Sequence, residues 1–276
     1  MTETSALDYR FDSRVVDRYD ALRGHPTEVS ALIGQTIADL TGERARVLEL
    51  GVGTGRIALP AAAAGCLITG IDASSQMLSR LVAQAGSQPL ARLHLVRGDI
   101  SALPFLASAF DAVLAVHVLH LVADWASVLD QVSRLIRPGG RLLLGRDWID
   151  PDSFSGQIRN EFRRTVVEVG TDMLPPGATA AAPPAGGAAI VQKLSGLGAR
   201  AMSPEETVAA EWTTRLAPRQ VLDGIRSRDD AESWVLPDKV LAETMRRLDR
   251  FAAKQWPDLD EPLPVTRRFM IGVFEF

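Results

Sequence analysis

Between residues 26 and 41 apolar side chains recur at the three-and-four spacing of one helix face, at Val29, Leu32, Ile33, Ile37 and Leu40, with Thr36 among them. Pro26 suits the first turn of such a helix. The period then shortens. Arg46 to Leu50 reads as a β-strand stopped by a cluster of glycines. Ile57 to Ala64 is alanine-rich and helix-prone, and Gly65 is placed to end it. Leu67 to Ile71 predicts a second strand, ending at Asp72. Ser74 or Ser75 would cap the next helix, whose inner face carries Met77, Leu78, Leu81 and Val82. Leu93 to Arg97 predicts a third strand, ending near Asp99, and the nearly all-apolar Phe110 to Val116 a fourth. A helix with Trp125, Val128, Leu129, Val132, Leu135 and Ile136 on one face follows. Pro138-Gly139-Gly140 is expected to break it, and Arg141 to Gly145 to form a fifth strand.

Strands that alternate with helices, and that are apolar on both faces, imply an α/β fold with a parallel sheet covered on both sides. Right-handed crossovers then bring the strand ends at Gly51, Asp72, Asp99 and His117 to one edge, where such folds bind ligands. Beyond residue 146 the pattern loosens. Residues 174–189 are rich in Pro, Gly and Ala and read as a loop, either an insertion or a lid. A strand is expected within 203–216, helices at 218–228 and 236–256, and a terminal strand over 267–276. Leu236, Val240, Met245, Leu248 and Ala252 share one face of the second of these helices.

Composition narrows the function classes. The 276 residues carry a net charge of −4, which argues against a nucleic-acid partner. Cys66 is the single cysteine, so no intrachain disulfide or Cys-rich metal site is possible, and no metal is expected. No apolar run reaches the ~18 residues of a membrane span, and the N-terminus lacks an apolar signal core. The expectation is a cytoplasmic protein with no membrane partner, a monomer or homodimer.

Glu49-Leu50-Gly51-Val52-Gly53-Thr54-Gly55 follows a strand and opens a helix. Glycines there permit positive φ and a close backbone approach to a ligand. A dinucleotide fingerprint would put its third glycine where this chain has Arg56. The pattern is instead E-x-G-x-G-x-G, whose acid suits a positively charged amino group better than a pyrophosphate. With VLELGVGTGRIALPAAAAG come, in order, ITGIDASSQML, VRGDISALPF, FDAVLAVHVLHLVADW and RPGGRLLLG. Over residues 45–146 the chain resembles the class I S-adenosylmethionine-dependent methyltransferases. It is most similar to their ubiquinone/menaquinone-biosynthesis-like and type 11 group.

The resemblance implies a Rossmann-like seven-stranded sheet, mostly parallel with an antiparallel last strand, plus helical cap insertions. It implies S-adenosyl-L-methionine as cofactor. Glu49 and the glycine turn (Gly51, Gly53, Gly55) would hold its amino-acid end, and Asp72 its ribose hydroxyls. Met77, Asp99 and the backbone of Ile100 would meet the adenine, and His117 the methionine portion. In similar enzymes an N-terminal segment covers the cofactor, which brings in Tyr19 and Arg23. The implied organisation is residues 1–44 covering the cofactor site, 45–146 as the cofactor-binding core, and 147–276 as acceptor cap plus the last two strands.

Methyl transfer needs a general base only where the acceptor loses a proton on attack. His117 and His120 are the candidates. Asp147 and Trp148 follow the fifth strand and are expected toward the acceptor, while His25 reads as structural. Arg159 and Arg163 are four apart on an expected helix and would either face an anionic acceptor or form a solvated face. No Asn-Pro-Pro-Tyr type motif follows the fourth strand, so a small-molecule acceptor, methylated on oxygen, nitrogen or carbon, is expected. The rival readings are a cofactor-binding protein without transfer activity and an NAD(P)-dependent oxidoreductase.

Overall fold

Strands form where the apolar runs place them: β1 (Arg46–Leu50), β2 (Leu67–Asp72), β3 (Leu93–Arg97) and β4 (Phe110–Val116). Three longer strands complete the set, β5 (Ile136–Ile149), β6 (Arg200–Leu216) and β7 (Leu263–Glu275). They make one seven-stranded sheet in the order β3-β2-β1-β4-β5-β7-β6. The pairs β3–β2, β2–β1, β1–β4 and β4–β5 are parallel. β7 runs the other way beside β5. Phe276 N–H donates to the Gly140 carbonyl (3.1 Å), whereas Phe269 packs against Gly145, so numbers fall along one strand as they rise along the other. The computed structural model describes residues 24–85, 91–173, 187–229, 231–234 and 236–276.

The chain divides into two compact units. Of the described residues, a sheet unit takes in 24–147, 187–210 and 269–276, and a helical unit 148–173 and 211–268.

In the sheet unit, helix α1 (Thr27–Thr41) buries Val29, Ile33, Gly34 and Ile37. Leu32 is 53% exposed, against expectation. The reason is Gly34, where an added Cβ would lie 2.4 Å from the Pro60 carbonyl oxygen. The helix thus lies backbone-close on α2 (Ala58–Ala63), and only a narrow stripe is covered. Helix α3 (Ser75–Gln84) starts on Ser74, whose Oγ accepts from Met77 N–H (3.3 Å). Val82 on it is also exposed. Asp124 caps α4 (Trp125–Leu135), accepting from Ser127 N–H (3.0 Å).

Pro138-Gly139-Gly140 ends that helix, yet it lies inside β5 rather than before it. Phe110 pairs with Ile136 but Ala112 with Arg141, so the β5 residues between them bulge. The bulge is held by Gly139 N–H, which donates to the Phe276 carbonyl (2.8 Å). Residues 187–189, expected in a loop, open helix α5 (Gly187–Gly196), and the rest of 174–189 lies outside the described residues. Leu48, Leu50, Val113, Leu129, Leu142 and Phe274 anchor the core of this unit.

The helical unit is built on α6 (Phe154–Met173), α7 (Pro218–Arg226), the short α8 (Ala231–Trp234) and α9 (Asp238–Gln255). Phe154, Ile158, Phe162, Val166 and Val169 form the inner stripe of α6. They share a core with Val221 and Ile225 of α7 and with Val240, Met245, Leu248 and Ala252 of α9, the last four as the spacing predicts. Trp256 meets both Phe154 and Phe251 edge-on.

Candidate functional site

The glycine turn follows β1 directly. Gly51, Gly53 and Gly55 all have positive φ (63°, 55° and 85°), a conformation side chains with a Cβ resist. At Gly51 an added Cβ would also lie 2.6 Å from Val118 Cγ2, so this turn presses on the chain leaving β4. Val52 N–H donates to the Ile71 carbonyl (3.0 Å), tying the turn to β2.

Glu49, two residues before the turn, is only 3% exposed, and its Oε2 has no hydrogen-bond partner among the described residues. Burial pushes its carboxyl up to about 8; the Arg56 charge opposes this and the Asp72 charge adds to it. A buried acid with an unused oxygen beside a glycine turn is suited to receive a cation.

Asp72 ends β2. Its Oδ2 accepts from Gly53 N–H and its Oδ1 from Ser74 N–H, both at 2.8 Å. Burial raises its carboxyl and these two bonds lower it, with a net rise. One carboxylate therefore ties the glycine turn to the start of α3, and its remaining lone pairs are available to hydroxyls. Met77 is buried in the first turn of α3. Asp99 is exposed beyond β3, where its Oδ1 accepts from Ser101 N–H (2.8 Å) and the bond holds its carboxyl below the usual range. Ile100, next to it, is buried in the core of the sheet unit. Because β2, β1 and β4 are adjacent and parallel, Asp72, Gly51 and His117 stand side by side along the same sheet edge.

His117 leaves β4 with φ 48°, a left-handed conformation rare in residues other than glycine. Val118 and a single 3-10 turn (Leu119–Leu121) follow, and the His120 ring lies edge-on to that of His117 at 6.5 Å. The His117 Nε2 atom is 3.0 Å from Asp147 Oδ2 and 3.0 Å from the Asp147 backbone nitrogen.

Two further side chains reach Asp147. His25 Nε2 lies 2.9 Å from its Oδ1, and Arg56 Nη1 donates to its Oδ2 at 2.9 Å. Arg56 Nη1 is also 3.0 Å from His25 Nε2, so the proton on His25 decides which of its two contacts is the hydrogen bond. Burial alone would push the Asp147 carboxyl up. The bonds to His117 and His25 and the Arg56 charge outweigh it and hold it well below the carboxylate range. Two histidines and a carboxylate also make a metal-ligand set, but the guanidinium occupies the cation's place here. No cluster of three or more such ligands suited to a metal occurs among the described residues.

Asp147 is thus engaged by protein groups on both oxygens rather than facing outward alone. Trp148 belongs to the helical unit, where the Arg268 guanidinium lies 4.6 Å over its ring. Arg163 is paired with Glu232 (3.0 Å) and is not held ready for an anion. Tyr19 and Arg23 lie outside the described residues. Sequence reasoning missed His25 as a member of this cluster and gave Arg56 only a negative role. For Arg56 a signal existed: a charged side chain directly after a glycine turn, whose neighbours it must reach. For His25, 122 residues from Asp147, there was none.

Residues 48–144 match the methyltransferase domain family. An uncharacterized protein of Mycobacterium tuberculosis is 31% identical over 138 residues, 49% of either chain. The phosphatidylethanolamine N-methyltransferase of Cereibacter sphaeroides is 34% identical over 113 residues, 40% of this chain and 54% of that one. The chain spans about half the length of the curated relatives it matches. The YcgJ protein of Bacillus subtilis superposes with a TM-score of 0.55 at 16% identity, covering 88% of this chain and 97% of that one, and so shares the fold. The fold is a Rossmann-like α/β fold with a mostly parallel sheet. The family match is confined to residues 48–144, and the cofactor of that domain family is S-adenosylmethionine.

Proposed function

We propose that this chain transfers a methyl group from S-adenosylmethionine to a small-molecule acceptor. The observation that carries the reading is the buried Glu49 carboxyl with its unpartnered Oε2, next to a turn of three positive-φ glycines. That donor set fits a zwitterionic amino-acid group: an acid for the ammonium and close backbone for the rest. It does not fit a pyrophosphate, which the acid would repel and whose fingerprint would need glycine at Arg56.

In this reading Glu49 with the backbone of Gly51, Gly53 and Gly55 holds the amino-acid end. Asp72 receives the ribose hydroxyls, and Met77, Asp99 and Ile100 frame the adenine. The His117 backbone addresses the methionine portion, and Tyr19 and Arg23, outside the described residues, are proposed as further cofactor-binding residues. When bound, the cofactor supplies a methyl group on a sulfonium with a neutral leaving group. The protein contributes alignment and exclusion of water, worth up to about 7–11 kcal/mol of barrier in favourable cases. In the same reading His117 or His120 takes a proton, and Asp147 and Trp148 are the residues assigned to the acceptor side. Residues 1–44 act as cover, 45–146 as cofactor core, and 147–276 as acceptor cap with the last strands. Among the described residues no helix is long and apolar enough to cross a membrane. A cytoplasmic location and a monomer or homodimer complete the proposal.

Calorimetric titration with S-adenosylhomocysteine and, separately, NADH tests this. Micromolar binding of the first alone is expected. Binding of NADH alone would replace the assignment with an oxidoreductase.

A further inference from the structure

Two contacts compete at His117 Nε2. It either donates to the Asp147 carboxylate or accepts from the Asp147 backbone N–H, both at 3.0 Å. The two possibilities leave opposite tautomers. If Nε2 carries the proton, Nδ1 is bare and basic; if Nε2 accepts, Nδ1 carries the proton and cannot take another. Hydrogen bonds to a charged acceptor are about twice as strong as neutral ones. Asp147 is held ionised by Arg56 and by His25, so the carboxylate wins the competition for His117.

Exposure separates the two histidines. The His25 side chain is 3% exposed and edge-packed on Phe269, while that of His117 is 34% exposed. His117 is the more accessible of the two, and both of its hydrogen-bond contacts among the described residues are made by Nε2, none by Nδ1. The left-handed backbone at His117 holds the ring in this pose at a cost that a plain strand end would avoid.

We propose that Asp147 is a positioning residue that locks His117 in the Nε2-protonated tautomer, so that His117 Nδ1 takes the proton of an acceptor hydroxyl. This rests on the methyltransferase reading above. In the step, the oxygen's electron pair forms the new bond to the methyl carbon. The carbon–sulfur pair leaves with sulfur, and the hydroxyl proton moves to Nδ1. The resulting imidazolium faces the Asp147 carboxylate, which stabilises it; Arg56, His25 and His120 are the other ionisable groups around it. A neutral amine can lose its proton after transfer and needs no such base, so the device points to a hydroxyl acceptor.

The experiment is nitrogen-15 NMR of the full chain labelled at histidine, with His117→Gln to assign the signals. The wild-type result expected at neutral pH is a single His117 tautomer, protonated on Nε2, and a mixture of tautomers in Asp147→Asn. Protonation of wild-type His117 on Nδ1 would overturn the proposal without any variant. So would an unchanged tautomer in a folded Asp147→Asn. Titration of the same wild-type sample with S-adenosylhomocysteine reports separately on the methyltransferase reading: failure to bind removes that reading while the tautomer result stands. On any hydroxyl acceptor the wild type methylates, His117→Gln should lose at least 100-fold in kcat with KM changed less than threefold; equal kcat would overturn the role as base.

Discussion

The carboxylate of Asp147 and the imidazole of His117 meet at 3.0 Å, although 30 residues and a helix separate them in sequence. The contact joins the ends of β4 and β5, which are neighbours in the sheet. It also sets how Asp147 contributes to stability. Its folded carboxyl lies well below the unfolded value of about 3.9, so the contribution is complete above that value and is lost as pH falls through the folded one. Asp147→Asn should cost about 2–3 kcal/mol at pH 7, less than the 3–5 of a fully enclosed pair because the side chain is a quarter exposed. Urea unfolding should show the difference from wild type shrinking below pH 4.

Glu49 behaves in the opposite sense. Its folded carboxyl, at about 8, lies above the usual 4.5, so the folded state keeps a proton that the unfolded chain releases. Its contribution is present below pH 4.5 and is lost as pH rises toward 8. Glu49→Gln should therefore raise the melting temperature at pH 8 and change it little at pH 4.5. Docking a cationic ammonium beside Glu49 should also expel its proton. Calorimetry of S-adenosylhomocysteine at pH 7 in buffers of different ionisation enthalpy should show between half and one proton released, and none in Glu49→Gln.

Asp72→Ala removes the acceptor for Gly53 N–H and Ser74 N–H together with any contact to ribose. Affinity for S-adenosylhomocysteine should fall at least tenfold, equivalent to about 1.4 kcal/mol. Asp72→Asn keeps one oxygen and should fall between the variant and wild type. An affinity equal to wild type in Asp72→Ala would take Asp72 out of the site.

Gly51→Ala combines a left-handed backbone with an approach of 2.6 Å to Val118 Cγ2. The expected cost is about 1–3 kcal/mol of stability, with weaker S-adenosylhomocysteine binding. Gly65→Ala is the control, since it too has positive φ but nothing within 4 Å. It should lose stability without losing affinity.

The parallel half of the sheet was legible because β1 to β3 are short runs closed by or leading into Gly or Asp and β4 is a nearly unbroken apolar run, both local signals. Helix α9 was readable for a similar reason, as an apolar stripe in one period. The exposure of Leu32 was not, because it follows from Gly34 meeting Pro60, a contact between separate elements. The bulge at Gly139 depends on the far terminus, through Phe276. In the site, Glu49, Asp72 and the glycines are contiguous with their strands and could be named. The His25–Asp147–His117 cluster is assembled from three distant places, with a charge from a fourth, and no spacing rule describes it.

The division of the chain falls inside three strands, between Asp147 and Trp148 in β5, Ala210 and Glu211 in β6, and Arg268 and Phe269 in β7. Neither unit is a contiguous segment, so a single proteolytic cut releases neither. Exchanging the helical unit between relatives would require splices that include these three strand positions. Side chains alternate faces along a strand, so a splice one residue out of phase would turn every residue beyond it to the opposite side of the sheet. Recombination in this lineage would therefore be confined to in-phase joints, with strand parity acting as a reading frame for the graft.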